Sequence, residues 1–386
     1  MSGRLANIGG PRGAAIRSQI RDITDAHRSL TIIVAMAIVG LVLPILATVP
    51  PFSIFQSLDV WLNGFSNAGV FVLLALGLNI VVGLAGLLDL GYAAFFAIGA
   101  YAYAYGASPF SGIHAPFIAM LLIGALVAAT FGVLLGAPTL RLRGDYLAIV
   151  TLGFGEIVPI VFLNADKYTE GTNGIGGIYS PDLPFIEFTI LNPWPFYALV
   201  IALVAIVMVF VYRLQESRIG RAWMAIREDE LAAASNGLNT VTTKLLAFAL
   251  GASTAGFAGV FNAAKLTLVS PEQFLSTVSF SILAMVVLGG MGNIWGVALG
   301  AFVIYTIQIV LLKQLNAFFA ELHVPILQDI NFVQYQFLLY GLALVLMMLF
   351  RPEGLFPSQR RKRELHSAAT AEAESSAVAA LDESLS

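Results

Sequence analysis

Residues 213–244 read RLQESRIGRAWMAIREDELAAASNGLNTVTTK, a polar and basic stretch set into a chain that is otherwise almost entirely apolar. That contrast decides the fold class. Of 386 residues, 58% are apolar and 11% charged, and the mean hydropathy is +0.85; soluble domains carry roughly 45–50% apolar and about 25% charged residues. The expected fold is all-α and polytopic in a membrane. The chain has no cysteine and only four scattered histidines, so neither a disulfide framework nor a metal site is expected. No catalytic residue, cofactor or nucleic-acid partner is expected either. The formal net charge of -3 says less than the positions of the charges.

Working outward from the polar stretch, charge-poor apolar runs of about 20 residues mark the spans, since that length crosses roughly 30 Å of hydrocarbon. They fall at Ser29–Val49, Phe65–Leu88, Leu90–Ala107, Ala115–Ala137, Tyr146–Asn164, Asn192–Tyr212 and Leu245–Val269. The interval Glu272–Lys313 holds two more, cut at Gly289-Gly290-Met291-Gly292-Asn293, and Phe332–Phe350 is the last, giving about ten. Short loops rich in lysine and arginine face the cytoplasm. Arg4, Arg12, Arg17, Arg21 and Arg28 precede the first span, and this parity puts Arg141, Arg143, residues 213–244 and Arg351, Arg360, Arg361, Lys362 and Arg363 on the same side. The acidic stretches Asp166–Glu187 and Glu321–Asp329 fall on the other. Residues 1–28 read as a basic cytoplasmic segment before an uncleaved anchor, 29–350 as the transmembrane domain, and 351–386 as a basic, then disordered, tail.

Within 213–244, Ser217 and Asp229 are candidate caps for two short helices, the second running Glu230–Asn236 and closed by Gly237. Arg227, Glu228, Asp229 and Glu230 offer oriented charges, and Ala232 and Ala233 let another surface approach closely. The stretch reads either as a docking surface or as a solvated helical hairpin.

Energy supply bears on that choice. A phosphate-cradling loop needs lysine directly after glycine, and the five lysines follow Asp166, Thr243, Ala264, Leu312 and Arg361. The chain is not its own P-loop ATPase. A stand-alone carrier or channel would keep an ionisable group inside the membrane, and Glu156, between Gly153, Gly155 and Pro159, is the carboxylate placed well within a span. It is open to use as a gate, as a contact for a substrate ammonium or as a proton site; it is equally open to pairing with Arg143 or pointing into a vestibule. Lys265 reads as snorkelling to the outer surface or as a binding residue, Asp89 as a turn cap or a contact at an ATPase interface, and Thr172–Gly177 as a tight outer turn or a contact for a binding protein. The glycines, Gly289 and Gly290 among them, read as helix packing or, with Asn79 and Asn293, as broken helices along a pathway.

Several stretches together resemble one family. Glu230, Ala232, Ala233 and Gly237 are similar to the E-A-A-x-x-x-G loop of permease subunits in bacterial ABC importers, although Leu231 intervenes. Residues 78–92 (LNIVVGLAGLLDLGY), 97–101, 140–146 (LRLRGDY), 172–175 (TNGI), 225–230, 289–296 (GGMGNIWG) and 351–356 (RPEGLF) resemble the LivM branch of the branched-chain amino-acid permeases. The resemblance implies an ABC importer permease fold in a bacterial inner membrane, a LivH-like second permease subunit, two ATPase subunits that dock on residues 213–244, and a periplasmic binding protein. It implies a cargo of branched-chain amino acids, or a related small amino acid, amide or urea. A secondary carrier using Glu156 and a non-transporting scaffold are the alternatives.

Overall fold

A computed structural model describes residues 28–46, 57–139, 145–184, 186–189, 191–308, 335–351 and 354–356. The basic amino-terminal segment, Arg141, Arg143, the acidic 321–329 stretch and the tail from 357 lie outside the described residues.

The chain is helical: α1 Arg28–Leu46, α2 Leu58–Leu78, α3 Tyr92–Gly106, α4 Phe117–Thr139, α5 Asp145–Asn164, α6 Trp194–Glu216, α7 Arg218–Glu228, α8 Glu230–Ser235, α9 Thr240–Leu266, α10 Ser276–Gly289, α11 Ile294–Thr306 and α12 Gln336–Phe350. A π-helical turn, Asn79–Leu84, prolongs α2. Two small antiparallel pairs, β1 (Ala107–Ser108) with β2 (Ile113–His114) and β3 (Ile175–Gly176) with β4 (Leu268–Val269), lie at one end of the bundle. The α7–α8 hairpin lies at the other. Among the described residues six helices are long and apolar enough to cross a membrane, within Leu58–Leu84, Phe117–Thr139, Tyr146–Asn164, Trp194–Glu216, Thr240–Leu266 and Pro271–Gly289; Ile32–Ile45 and Ile294–Thr306 are shorter apolar helices.

The third expected span is shorter than anticipated. Leu90–Ala107 becomes the 15-residue α3, preceded by irregular chain from Ala85 to Gly91 that turns back into the bundle. The Tyr92 hydroxyl donates to Gly251 O (2.9 Å), well along α9, and Leu90 N–H to Thr151 Oγ1 (3.0 Å), so α3 begins at depth. Nearly all of α3 is buried, which suits a helix apolar on every side.

The packing rests on small residues. On α4, Gly124, Ala128, Gly132 and Gly136 recur every fourth residue and face α9, while Ile118, Leu122, Leu126 and Leu134 form an exposed stripe opposite. A Cβ built at Gly256 of α9 would lie 2.5 Å from both Ala128 Cβ and Gly124 O, and one at Gly99 of α3 would lie 2.3 Å from Gly256 O. Three backbones therefore meet with no side chain between them. Close approach of this kind holds helices together where lipid supplies no hydrophobic drive. At the strand end Lys265 does not snorkel outward; its ammonium donates to Asn63 O (3.2 Å) and Asn67 Oδ1 (2.5 Å), pinning α9 to α2.

Candidate functional site

The hairpin is built by local capping. Ser217 adopts extended backbone and its hydroxyl accepts Gly220 N–H (3.2 Å), starting α7. Asp229 Oδ1 accepts Leu231 N–H (2.9 Å) and Ala232 N–H (3.0 Å), starting α8 with a carboxylate at its positive end. Gly237, at φ +84, closes α8 through Leu238 N–H to Ala233 O (3.2 Å) and Gly237 N–H to Ala234 O (2.9 Å), the paired bonds of a Schellman ending. Asn239 Oδ1 then accepts Thr242 N–H (3.1 Å) and opens α9.

Its back is fixed to the bundle. Trp223 is fully buried and its indole N–H donates to Thr243 O (2.6 Å). Lys244, with its side chain 11% exposed, pairs with Glu230 Oε1 at 2.6 Å. Arg227, expected to face outward with the acids, points inward. Its guanidinium donates to Gly83 O, and its stem fills the space beside Gly86, where a Cβ would lie 2.6 Å from Arg227 Cγ. Gly86 at φ +70 makes this slot possible. Glu228, Asp229, Glu230, Leu231, Ala232 and Gly237 face outward, whereas Ala233 is buried. Leu231 was not expected to matter, yet it is 71% exposed at the tip among the carboxylates. Only the orientation of α8 reveals it.

Asn79, Gly289, Gly290 and Asn293 come together where the end of α2 meets the α10–α11 turn. Asn79 is fully buried and its Oδ1 accepts Gly292 N–H (2.9 Å). Asn293 caps α11 through Trp295 N–H (3.1 Å) and donates to Phe356 O (2.8 Å). Leu355 N–H reaches Leu288 O (2.9 Å) and Phe356 N–H reaches Gly289 O (3.3 Å), while Gly354 packs on Gly290 so closely that a Cβ would fall 2.6 Å from the Gly290 Cα. The turn between α10 and α11 thus joins the end of α2 to residues 354–356, and Arg227 brings the hairpin to the same joint.

Glu156 stands apart from that joint, on the exposed face of α5 and about 16 Å along the helix from Asp145 at ~1.5 Å per residue. The opposite face of α5 is sealed, because a Cβ at Gly155 would lie 2.9 Å from Gly91 Cα and one at Gly91 would lie 2.0 Å from Thr151 O. Insertion scales put a charge at the centre of a lipid-facing helix at about 2.5–3.5 kcal/mol, so such groups face a partner or a water-filled cavity. Asp89 is buried and caps its own turn, Oδ1 accepting Gly91 N–H (2.9 Å). The 172–177 segment is a turn tied down by β3–β4 pairing, with Gly171, Gly174 and Gly177 at positive φ. Among the described residues no group of three potential metal ligands occurs.

The model of the family described as branched-chain amino acid transport system, permease component, matches residues 60–349. The chain is 42% identical over 319 residues to the high-affinity branched-chain amino acid permease protein LivM of Salmonella typhimurium, covering 77% of this chain and 70% of that protein. To LivM of Escherichia coli it is 42% identical over 321 residues, 78% of this chain and 71% of the relative. LivH of Escherichia coli is 25% identical over 256 residues, 63% and 82% of the two chains. No solved structure matches.

Proposed function

This chain belongs to the branched-chain amino acid transport permease family, and from that premise we propose that it is one membrane-spanning subunit of an ATP-driven importer moving branched-chain amino acids, or a related small amino acid, amide or urea, into the cytoplasm. It works beside a second, LivH-like permease, two ATPase subunits and a periplasmic binding protein. The membrane domain spans residues 29–350 with about ten crossings, between a basic segment, 1–28, and the 351–386 tail, and both termini are cytoplasmic. Alternation supports this: α1 to α6 and α9 to α12 run in turn between the hairpin end and the strand end, which sets the basic 213–244 stretch against the acidic 166–187 stretch. The strand end then faces the periplasm, where the 172–177 turn meets the loaded binding protein.

One observation carries the reading: the α7–α8 hairpin presents Glu228, Asp229, Glu230 and Leu231 to solvent while its back is clamped to the helix ends. Oriented charges beside an exposed leucine give a partner surface both complementary charge and apolar area to register against. A clamped lever also transmits force. Motion imposed on α8 passes into α6 and α9, which flank the hairpin in the chain, and through Arg227 into the end of α2. A stand-alone carrier gives no reason for such a lever. Changing the outward face alone, Glu228→Lys with Leu231→Asp, keeps the Asp229 cap and the Glu230–Lys244 pair and is expected to leave the protein inserted but to abolish co-purification of the ATPase subunits. Undiminished co-purification would remove the basis of the coupling assignment.

A further inference from the structure

Resting on the transport reading, we propose that Glu156 is the site in the membrane where the ammonium group of a zwitterionic amino acid is held during passage. Three features of α5 meet at this residue. The carboxylate lies on the exposed face near the middle of the helix, and no basic side chain among the described residues forms an ion pair with it. One turn back, a Cβ at Gly153 would have nothing within 4 Å, so the helix face beside the carboxylate is open. On the same face stand Ile149, Ile157 and Ile160, exposed by 63%, 57% and 54%.

An anion on an open helix face flanked by isoleucines matches the two ends of a branched aliphatic amino acid. The ammonium receives a charge-assisted hydrogen bond and the side chain meets branched apolar groups. An amide or urea would use only the first, and without a full charge. The geometry is also held in place. Gly155 and Thr151, on the opposite face, lock α5 against Leu90 and Gly91, so the carboxylate is presented from a fixed wall.

The natural absence of cysteine allows a direct test on the whole importer, reconstituted in proteoliposomes with its second permease, ATPases and binding protein. Glu156→Gln is expected to lower radiolabelled L-leucine delivered per ATP hydrolysed about tenfold or more, as loss of a hydrogen bond to a charged group implies, and Glu156→Asp to retain a measurable part. Glu156→Cys is expected to react with a membrane-impermeant, cationic methanethiosulfonate, more slowly while leucine-loaded binding protein and ATP drive turnover. Leu126→Cys, on the exposed stripe of α4, serves as the lipid-facing control and should stay unreactive.

Four outcomes overturn the proposal. Wild-type delivery by Glu156→Gln does so, as does labelling of Glu156→Cys no faster than that of Leu126→Cys. Loss of the second permease from Glu156→Gln preparations would make the carboxylate a subunit contact, and collapse of wild-type uptake by a protonophore at constant ATP would make it a proton site. A wild-type complex that carries no leucine fails at the cargo assignment itself, whereas leucine transport indifferent to Glu156 defeats this inference alone.

Discussion

Replacing Arg227 by alanine should uncouple ATP hydrolysis from uptake while leaving the importer assembled. The guanidinium is half-buried and makes a charge-assisted bond to Gly83 O, and its stem packs beside Gly86. Hydrogen bonds to charged groups contribute about 1.5–3 kcal/mol, and partial exposure argues for the lower part of that range. A loss of about 1.5 kcal/mol multiplies the undocked hairpin population roughly tenfold. The hairpin keeps its Trp223 and Lys244 attachments, so it should loosen at the α2 end rather than detach. Arg227→Lys restores charge without the planar fork and should fall between the two. Hydrogen exchange resolves the structural effect as faster exchange in residues 231–238 and 85–87, and vesicle assays resolve the functional one as less leucine delivered per ATP. Unchanged exchange together with unchanged delivery in Arg227→Ala would refute the idea that force reaches α2 through this side chain.

Two further substitutions probe the frame. Gly256→Leu drives a side chain into Ala128 and the Gly124 carbonyl, and the overpacking, about 1–3 kcal/mol or more where backbone must move, should depress both membrane abundance and thermal stability in detergent; a variant that melts with the wild type would refute the contact. Asn79→Ala strands the half-buried Gly292 N–H at a cost of about 1 kcal/mol. Its melting temperature should fall, and a drop no larger than that of an exposed control such as Leu134→Ala would show the bond to be inconsequential.

Sequence served best where the physics is local. Tyr146–Asn164 was bounded by apolarity alone and α5 ends at the same residue; the cut at residues 289–293 fell on the α10–α11 turn; and Ser217, Asp229 and Gly237 act as the caps their types suggest. It served less well where a boundary is set by distant groups. Helix α2 starts at Leu58 rather than Phe65, and its first turns are tied to α9 by Lys265, which bonds Asn63 O and Asn67 Oδ1. Helix α3 starts late because Leu90 and Gly91 are claimed by Thr151 and by Asp89. Asn79, Gly289, Gly290 and Asn293 read as broken helices from their residue types, and the structure adds that Asn79 Oδ1 is bonded by Gly292 N–H and Asn293 by Trp295 and Phe356, partners that no spacing reveals. Arg227 sits next to three acids in the chain and was grouped with them, but the slot beside Gly86 turns it the other way.

The meeting of Gly99, Gly124 and Gly256 bears on how such a machine moves. Side chains can hop between rotamers and give a little; main chain pressed on main chain has nothing to compress and little room to slide. The trio of helices it joins therefore behaves as an axle. Whatever swings during a transport stroke swings around it, and the larger displacements belong to a peripheral helix such as α6, whose outward face is not locked in this way.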